Sequence, residues 1–194
     1  IFIWREFKNA PKGISNLRQI IANDMEREHW RCQCIRCREI KGDYNPQEKI
    51  ILVRRDYQAT QGKEIFLSFE NEDKTKLFSL LRLRITDKGT KLMIENAGDY
   101  MESPLRNTNT IGIIREIHTY GIQTAIGKIA TSAQHTGLGK KLIKEAERIA
   151  KTEFNIKKIA AISGVGARQY WRKNGYKLQN TYMVKKLRER IRAC

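Results

Sequence analysis

Three short constellations carry groups suited to chemistry. In QHTGLGKK, Gln134, Gly137 and Gly139 precede an amphipathic run. A strand, a glycine-bearing loop and a helix in that order leave backbone N–H groups pointing outward at the positive end of a helix dipole. Such a terminus can cradle a phosphate or pyrophosphate, and glycines let backbone and ligand approach closely. The same pattern also makes an ordinary tight turn. It is not a P-loop, because G-x-x-x-x-G-K-[ST] is absent, and it falls too late in the chain for a dinucleotide fingerprint.

The second constellation is RCQCIRC, with Cys32, Cys34 and Cys37. Three thiolates so close in sequence supply three corners of a tetrahedral Zn²⁺ site. A closed structural site needs a fourth ligand. His29, three residues before Cys32, is the nearest candidate, and an Asp, a more distant His or a water are the alternatives. An iron–sulfur cluster or free thiols are the competing readings, and Cys194 reads as unrelated. The third is TIGIIREIHTYG, read as a strand with Ile114, Glu116, His118 and Tyr120 on one face and Ile113, Arg115 and Ile117 on the other.

The elements that must position these groups follow from periodicity. Leu17, Ile20, Ile21 and Met25 predict a helix over about 15–29 with Ser15 as N-cap. After GDYNP the pattern turns to strands in KIILVRRDY, KEIFLSFE, KLFSLLRLRI and KLMIE, expected as an antiparallel meander. GLGKKLIKEAERIAKTEF predicts a helix with Leu142, Ile143, Ala146 and Ile149 inward. KKIAAIS then reads as a buried strand, GARQYWRKN as a short helix closed by Gly175, and YKLQNTYMVKKL as one last strand.

Composition narrows the partners. A chain of 194 residues, 40% hydrophobic, can bury one core of ordinary size. The 38 Lys and Arg against 21 Asp and Glu give a formal charge of +17, which favours a polyanion, nucleic acid above all. Arg18, Arg31, Arg36, Arg38, Arg54, Arg55, Arg82, Arg84 and Lys140 are the candidate phosphate contacts. A solvated basic face of the kind seen in thermophiles is the alternative. No stretch approaches the roughly 20 apolar residues that span a bilayer and no signal peptide opens the chain. The expectation is a soluble, cytoplasmic protein without a membrane partner. The chain begins at Ile1 and so reads as a fragment.

Q-x-x-G-x-G-K after a strand, followed by a helix, a strand, a short helix and the pair Gly175 and Tyr176, resembles the acetyl-coenzyme A site of the Gcn5-related N-acetyltransferases. More narrowly, REIHTYG, QHTGLGKKLIKEAERIA, KKIAAISGVGARQYWRKNGY and YMVKKL resemble the catalytic-subunit family of Elongator, the tRNA wobble-uridine acetyltransferases. LVRRDYQATQGKEIFLSFE, LLRLR, and SNLRQI followed by CQCIRCREI extend that likeness over nearly the whole chain after about residue 12.

The resemblance implies an α/β chain with a Gcn5-related acetyltransferase fold over 47–194, its mixed, mainly antiparallel sheet opened by two splayed parallel strands, behind a zinc-binding linker over 1–46. Backbone groups of Glu116, Ile117, His118 and Thr119 would meet pantetheine and thioester. Those of Gly137, Leu138, Gly139, Lys140 and Lys141 would hold the pyrophosphate, with Gln134 shaping the loop. Glu116 and His118 are the candidate bases. The superfamily commonly places a tyrosine acid four residues before the glycine that closes the short helix. That position is Trp171, counted here with the catalytic and cofactor-binding residues, and Tyr170 stands beside it. An indole N–H donates a hydrogen bond but does not readily release its proton, so Tyr170 or solvent would protonate the thiolate, and both rings could equally be packing residues.

The same resemblance implies acetyl-CoA and Zn²⁺ as cofactors and tRNA as partner, with a homodimer left open. The radical S-adenosylmethionine domain of full-length members, with its iron–sulfur cluster, is expected to lie largely outside this sequence, since no separate cysteine triad is present. Two other functions compete. One is a lysine or small-amine acetyltransferase, whose cationic acceptor the protein's own field would repel. The other is a non-catalytic tRNA-binding module.

Overall fold

The structure, a computed structural model, describes residues 16–41, 45, 47–60, 62–86, 111–121 and 137–187. The chain divides into two compact units, Ile1–Arg38 and Glu39–Cys194. Ser15, Gln134, Cys194 and the KLMIE segment lie outside the described residues.

In the first unit, helix α1 (Leu17–Arg27) matches the predicted span but starts from Asn16, whose carbonyl accepts the N–H groups of Gln19 and Ile20. None of its residues is buried, so its apolar stripe is not a core stripe. A single turn, α2 (Ile35–Arg38), follows the first two cysteines.

The second unit is a mixed α/β structure on one seven-stranded sheet in the order β1-β2-β3-β4-β5-β7-β6. Strands β1 (Ile50–Ala59), β2 (Gly62–Asn71) and β3 (Leu77–Thr86) form the first three strands of the expected antiparallel meander, and β4 (Ile111–Thr119), read from the sequence as a separate strand, is the described antiparallel neighbour of β3. Helix α3 (Leu138–Thr152) then crosses to β5 (Lys158–Ile162), which lies parallel to β4. A 3₁₀ turn (Val165–Ala167) and the short helix α4 (Arg168–Lys173) lead to β6 (Lys177–Gln179) and β7 (Tyr182–Lys186). No helix among the described residues is long and apolar enough to cross a membrane.

Alternation decides which face carries the core. Ile65 and Leu67 of β2 and Leu81, Leu83 and Ile85 of β3 point to one face, where they bury the predicted stripe Leu142, Ile143, Ala146 and Ile149 of α3. Trp171 and Tyr176 join that core, ring edge to ring face at 4.9 Å. Gly175 ends α4 at φ +86°, a left-handed backbone that costs glycine little.

Two sequence expectations are corrected. The last strand is a hairpin of β6 and β7, because Asn180 takes a left-handed φ of +54° and reverses the chain. In β4 the strict alternation fails. Arg82 stands opposite Glu116 but Leu83 opposite Ile114, so Arg115 is an extra residue, a bulge. Ile114 therefore joins Ile117 on the α3 side, whereas Ile113 packs with Ala160 and Val184 in a separate cluster.

On the face of β1 to β4 away from α3, carboxylates absorb strand arginines. Arg84 and Arg115 reach the buried Glu64 at 3.3 and 2.6 Å, and Arg55 reaches the buried Glu70 at 2.6 Å. On the α3 side, Arg54 bridges Asp56 at 2.8 Å and Glu153, just beyond α3, at 2.7 Å, tying edge strand β1 to the helix end. Arg54 and Lys63 beside Asp56 hold its carboxyl at about 2, against the opposing effect of partial burial.

Two outcomes follow from this packing. Trp171→Ala should destabilise the chain by about 3–5 kcal/mol, read from urea unfolding, whereas a surface ring would cost far less. Asp56 has its pKa depressed by folding, so its contribution is present above the unfolded value near ~4 and lost as pH falls towards the folded value. Asp56→Asn should thus cost up to about 1 kcal/mol at neutral pH, screened by salt, and the gap from the parent should close on acidification below the unfolded value.

Candidate functional site

The site is built where β4 parts from β5. Their parallel pairing covers only Gly112 to Ile114 against Ile159 to Ala161, and it stops one residue before the bulge. β4 runs on to Thr119, and no described strand pairs with residues 115–118 on the β5 side. Extended backbone with an open edge can accept another extended chain through its own N–H and C=O groups.

Beyond that edge lies the N-terminus of α3. Its N-cap is Gly137 at φ +72°, with no side-chain cap and no acidic residue in the first turn. The Lys141 N–H is already donated to the Gly137 carbonyl. Helix geometry leaves the N–H groups of Leu138, Gly139 and Lys140 as the outward donors. Of the five residues assigned to this cradle, Lys141 thus has its N–H committed to the helix.

Gly139 is buried, and a Cβ there would lie 2.9 Å from the Tyr170 hydroxyl and 3.2 Å from Thr119 Oγ1. A side chain at 139 would therefore have to displace the Tyr170 hydroxyl and crowd Thr119 Oγ1, which α4 and β4 bring against the turn. Thr119 is held in place by Ser79, whose hydroxyl lies 3.0 Å from Thr119 Oγ1 and donates to the His118 carbonyl at 2.7 Å. Partial burial pushes the Tyr170 hydroxyl above its ordinary pKa, so it keeps its proton at neutral pH.

Glu116 and His118 occupy the opposite face of β4 from Ile117 and Thr119. Glu116 sits between Arg82 Nη1 and His118 Nε2, each at 3.2 Å. The His118 ring stacks on Tyr120 at 6.0 Å with 15° between planes. The candidate bases and the Tyr170 hydroxyl thus flank the open edge of β4 from its two sides. Trp171 is 2% exposed and takes the packing role that the sequence allowed for it.

In the first unit, the Sγ atoms of Cys32, Cys34 and Cys37 all lie within 4.8 Å of one another. Tetrahedral Zn–S bonds of about 2.3 Å would set sulfurs ~3.8 Å apart, so the trio fits three corners of such a site. His29 is not brought into that group. For Cys34, burial raises the thiol pKa, but hydrogen bonds from the Cys37 backbone and the Cys32 and Cys37 thiols outweigh it and lower it. Cys37, hydrogen-bonded to the Cys34 and Cys32 thiols, is pushed up to about 11.

The strand arginines proposed for phosphate contact are mostly engaged: Arg54, Arg55, Arg82 and Arg84 each pair with a carboxylate. Arg38 is buried and donates to the Gln33 carbonyl. Arg18, Arg31, Arg36 and Lys140 are exposed. Sequence reasoning missed Ser79 and Thr119 Oγ1, which no motif signals, because the contact joins residues 40 positions apart.

No protein-family model matches the chain. Individual relatives do. It is 42% identical over 181 residues to the tRNA uridine(34) acetyltransferase of Methanocaldococcus infernus, covering 89% of this chain and 32% of that protein. The protein of the same name from Dehalococcoides mccartyi is 42% identical over 178 residues, with 89% and 36% covered. Human Elongator complex protein 3 is 41% identical over 179 residues, with 89% and 30% covered. Among solved structures, the archaeal Methanocaldococcus infernus Elp3 with an N-terminal deletion superposes with a TM-score of 0.67 at 39% identity, covering 88% of this chain and 39% of that one. Shared sequence and shared fold together make the chain a homologue of the tRNA uridine(34) acetyltransferases and Elongator complex protein 3, corresponding to about a third of their length.

Proposed function

We propose that the chain is the acetyl-CoA-dependent acyltransferase part, of Gcn5-related fold, of a tRNA wobble-uridine modification enzyme, preceded by a structural zinc site. The observation that carries this reading is the convergence, beside the open edge of β4, of an uncapped helix N-terminus with the Gly139–Tyr170–Thr119 approach. Bound acetyl-CoA would supply an activated acyl group as its thioester. The residues of this chain do the rest.

The edge of β4 from Glu116 to Thr119 would bind the amide-bearing arm as an added strand, and the N–H groups of Leu138, Gly139 and Lys140 would bind the pyrophosphate. Glu116, oriented by Arg82 and paired with His118, would accept the proton of the attacking nucleophile. Tyr170, protonated at neutral pH, would return a proton to the leaving sulfur. Its partner in sequence, Trp171, is committed to the core and leaves that task to the phenol. Cys32, Cys34 and Cys37 would hold Zn²⁺ with a fourth ligand other than His29.

The first test follows free thiol release from acetyl-CoA by the purified chain, with and without bulk tRNA. Tyr170→Phe should slow release roughly 10²-fold or more while leaving acetyl-CoA affinity near the parent value. Gly139→Ala should raise the Kd for acetyl-CoA, because its Cβ collides with the Tyr170 hydroxyl. Acetyl-CoA binding without thiol release under any condition would instead favour a non-catalytic binding module.

The second test concerns the metal. Titrated with Co²⁺, the chain should take up one equivalent with intense thiolate-to-metal absorption, displaced by Zn²⁺. Cys34→Ser should abolish the absorption. Binding should weaken as pH falls, because each thiol must lose its proton to bind. A flat absorption at one equivalent would remove the metal from the reading.

A further inference from the structure

A cavity of about 1040 Å³ opens on the second unit away from the glycine turn. Its walls come from the later turns of α3, from the start of β5, and from β6 and β7. Along the helix, its residues 144–152 lie roughly 8–20 Å beyond Gly139 at 1.5 Å per residue. It is therefore separate from the acyl site.

Its charge is one-sided. Lys144, Arg148, Lys151, Lys158, Lys177, Lys185 and Lys186 line it, against the single carboxylate Glu147. That carboxylate is already engaged internally, accepting from Lys185 Nζ at 2.8 Å and from the Tyr176 hydroxyl at 3.0 Å. Arg148 is answered by Glu145 at 2.7 Å, but Lys144, Lys177 and Lys186 are exposed. Lys158 and Lys186 stand directly opposite each other in the β5–β7 register. The register thus sets two lysine side chains next to each other on one wall of the cavity. The strand arginines of the other sheet face, by contrast, are balanced by Glu64, Glu70 and Glu116.

We infer that this cavity is a second RNA contact, a lysine-lined seat for the phosphodiester backbone of the RNA whose modified base enters the acyl site. The inference rests on the tRNA reading of the protein and adds a location to it. Several features favour a polymer over a small anion. The lysines are spread over one helix and three strands rather than focused on one point. Their ammonium groups are mobile point charges, suited to a backbone bound without base reading. The volume is open enough for more than one phosphate to enter.

The test compares three forms of the full chain by tRNA binding over a range of salt. These are the parent, the triple variant Lys144→Gln, Lys177→Gln and Lys186→Gln, and a charge-matched control with Lys41→Gln, Lys49→Gln and Lys74→Gln on other exposed positions. The cavity variant should bind tRNA about tenfold or more weakly near ~0.1 M salt, with its log–log salt slope shallower by about two to three, while the control changes much less. Acetyl-CoA binding and RNA-independent thiol release should be unchanged in both variants, because none of the six residues belongs to the acyl site. Equal losses in the two variants, or parental affinity and slope in the cavity variant, would overturn the seat without touching the acyltransferase reading. Failure of the parent to bind tRNA while cleaving acetyl-CoA would overturn it too. Selective loss of binding to inorganic polyphosphate or to phosphatidylglycerol vesicles, with tRNA retained, would assign the cavity to that ligand and sink the proposal.

Discussion

The arrangement at the candidate site depends on one extra residue in β4. Because strand side chains alternate with a period of two, inserting Arg115 between Ile114 and Glu116 changes which residues share a face. Ile114 and Ile117 both serve the α3 core, while Glu116 and His118 remain on the polar face beside Arg82. The same insertion marks where β4 and β5 cease to pair. Without it, the parallel pairing could continue and close the edge. With it, four residues of extended backbone lie open beside a helix N-terminus, and core packing on either side keeps them there.

Much of this was legible in the sequence, for identifiable reasons. The α3 stripe Leu142, Ile143, Ala146 and Ile149 has a clean helical period, and the meander strands are rich in branched and aromatic residues bounded by polar turns. The glycine turn could be found because its conformational demand is written as residue type. The bulge could not: REIHT alternates as well as any strand, and the extra residue exists only relative to the register of β3, which is non-local information. The hairpin between β6 and β7 was hidden in the same way, since LQNTY contains neither glycine nor proline and its turn rests on one left-handed asparagine.

Charge was the least legible property. A formal +17 spread over the chain suggests a uniformly basic surface, and the arginines of RRDY and RLR look like its natural centre. Sheet geometry reverses that. Those side chains lie over Glu64, Glu70, Asp56 and Glu116, and two of these carboxylates are buried so deeply that removing the arginines would strand them. Arginine occupies these positions because its planar fork satisfies a desolvated carboxylate more fully than an ammonium can. The lysines, more strongly hydrated and poorly suited to burial, are left to line the cavity beside α3 and β7. Composition therefore reports the net sign of the chain's charge and not which of its charges are balanced within the fold.

The pair Tyr170 and Trp171 shows how adjacent aromatic residues acquire different roles without any motif to separate them. On a helix, consecutive side chains point about 100° apart, since 3.6 residues make a turn. One of two neighbours can face the core only if the other turns away from it. Trp171 fills the core against Tyr176, itself anchored by Glu147 and Lys185. That anchoring fixes the rotation of α4 about its axis, and the rotation carries the Tyr170 hydroxyl over Gly139. The larger indole supplies the packing that orients the helix, and the phenol beside it, partly buried and kept protonated, reaches the glycine turn. Exchanging the two rings would preserve the composition and lose the geometry, because an indole at 170 offers no hydroxyl and a tyrosine at 171 would bring its own into the core.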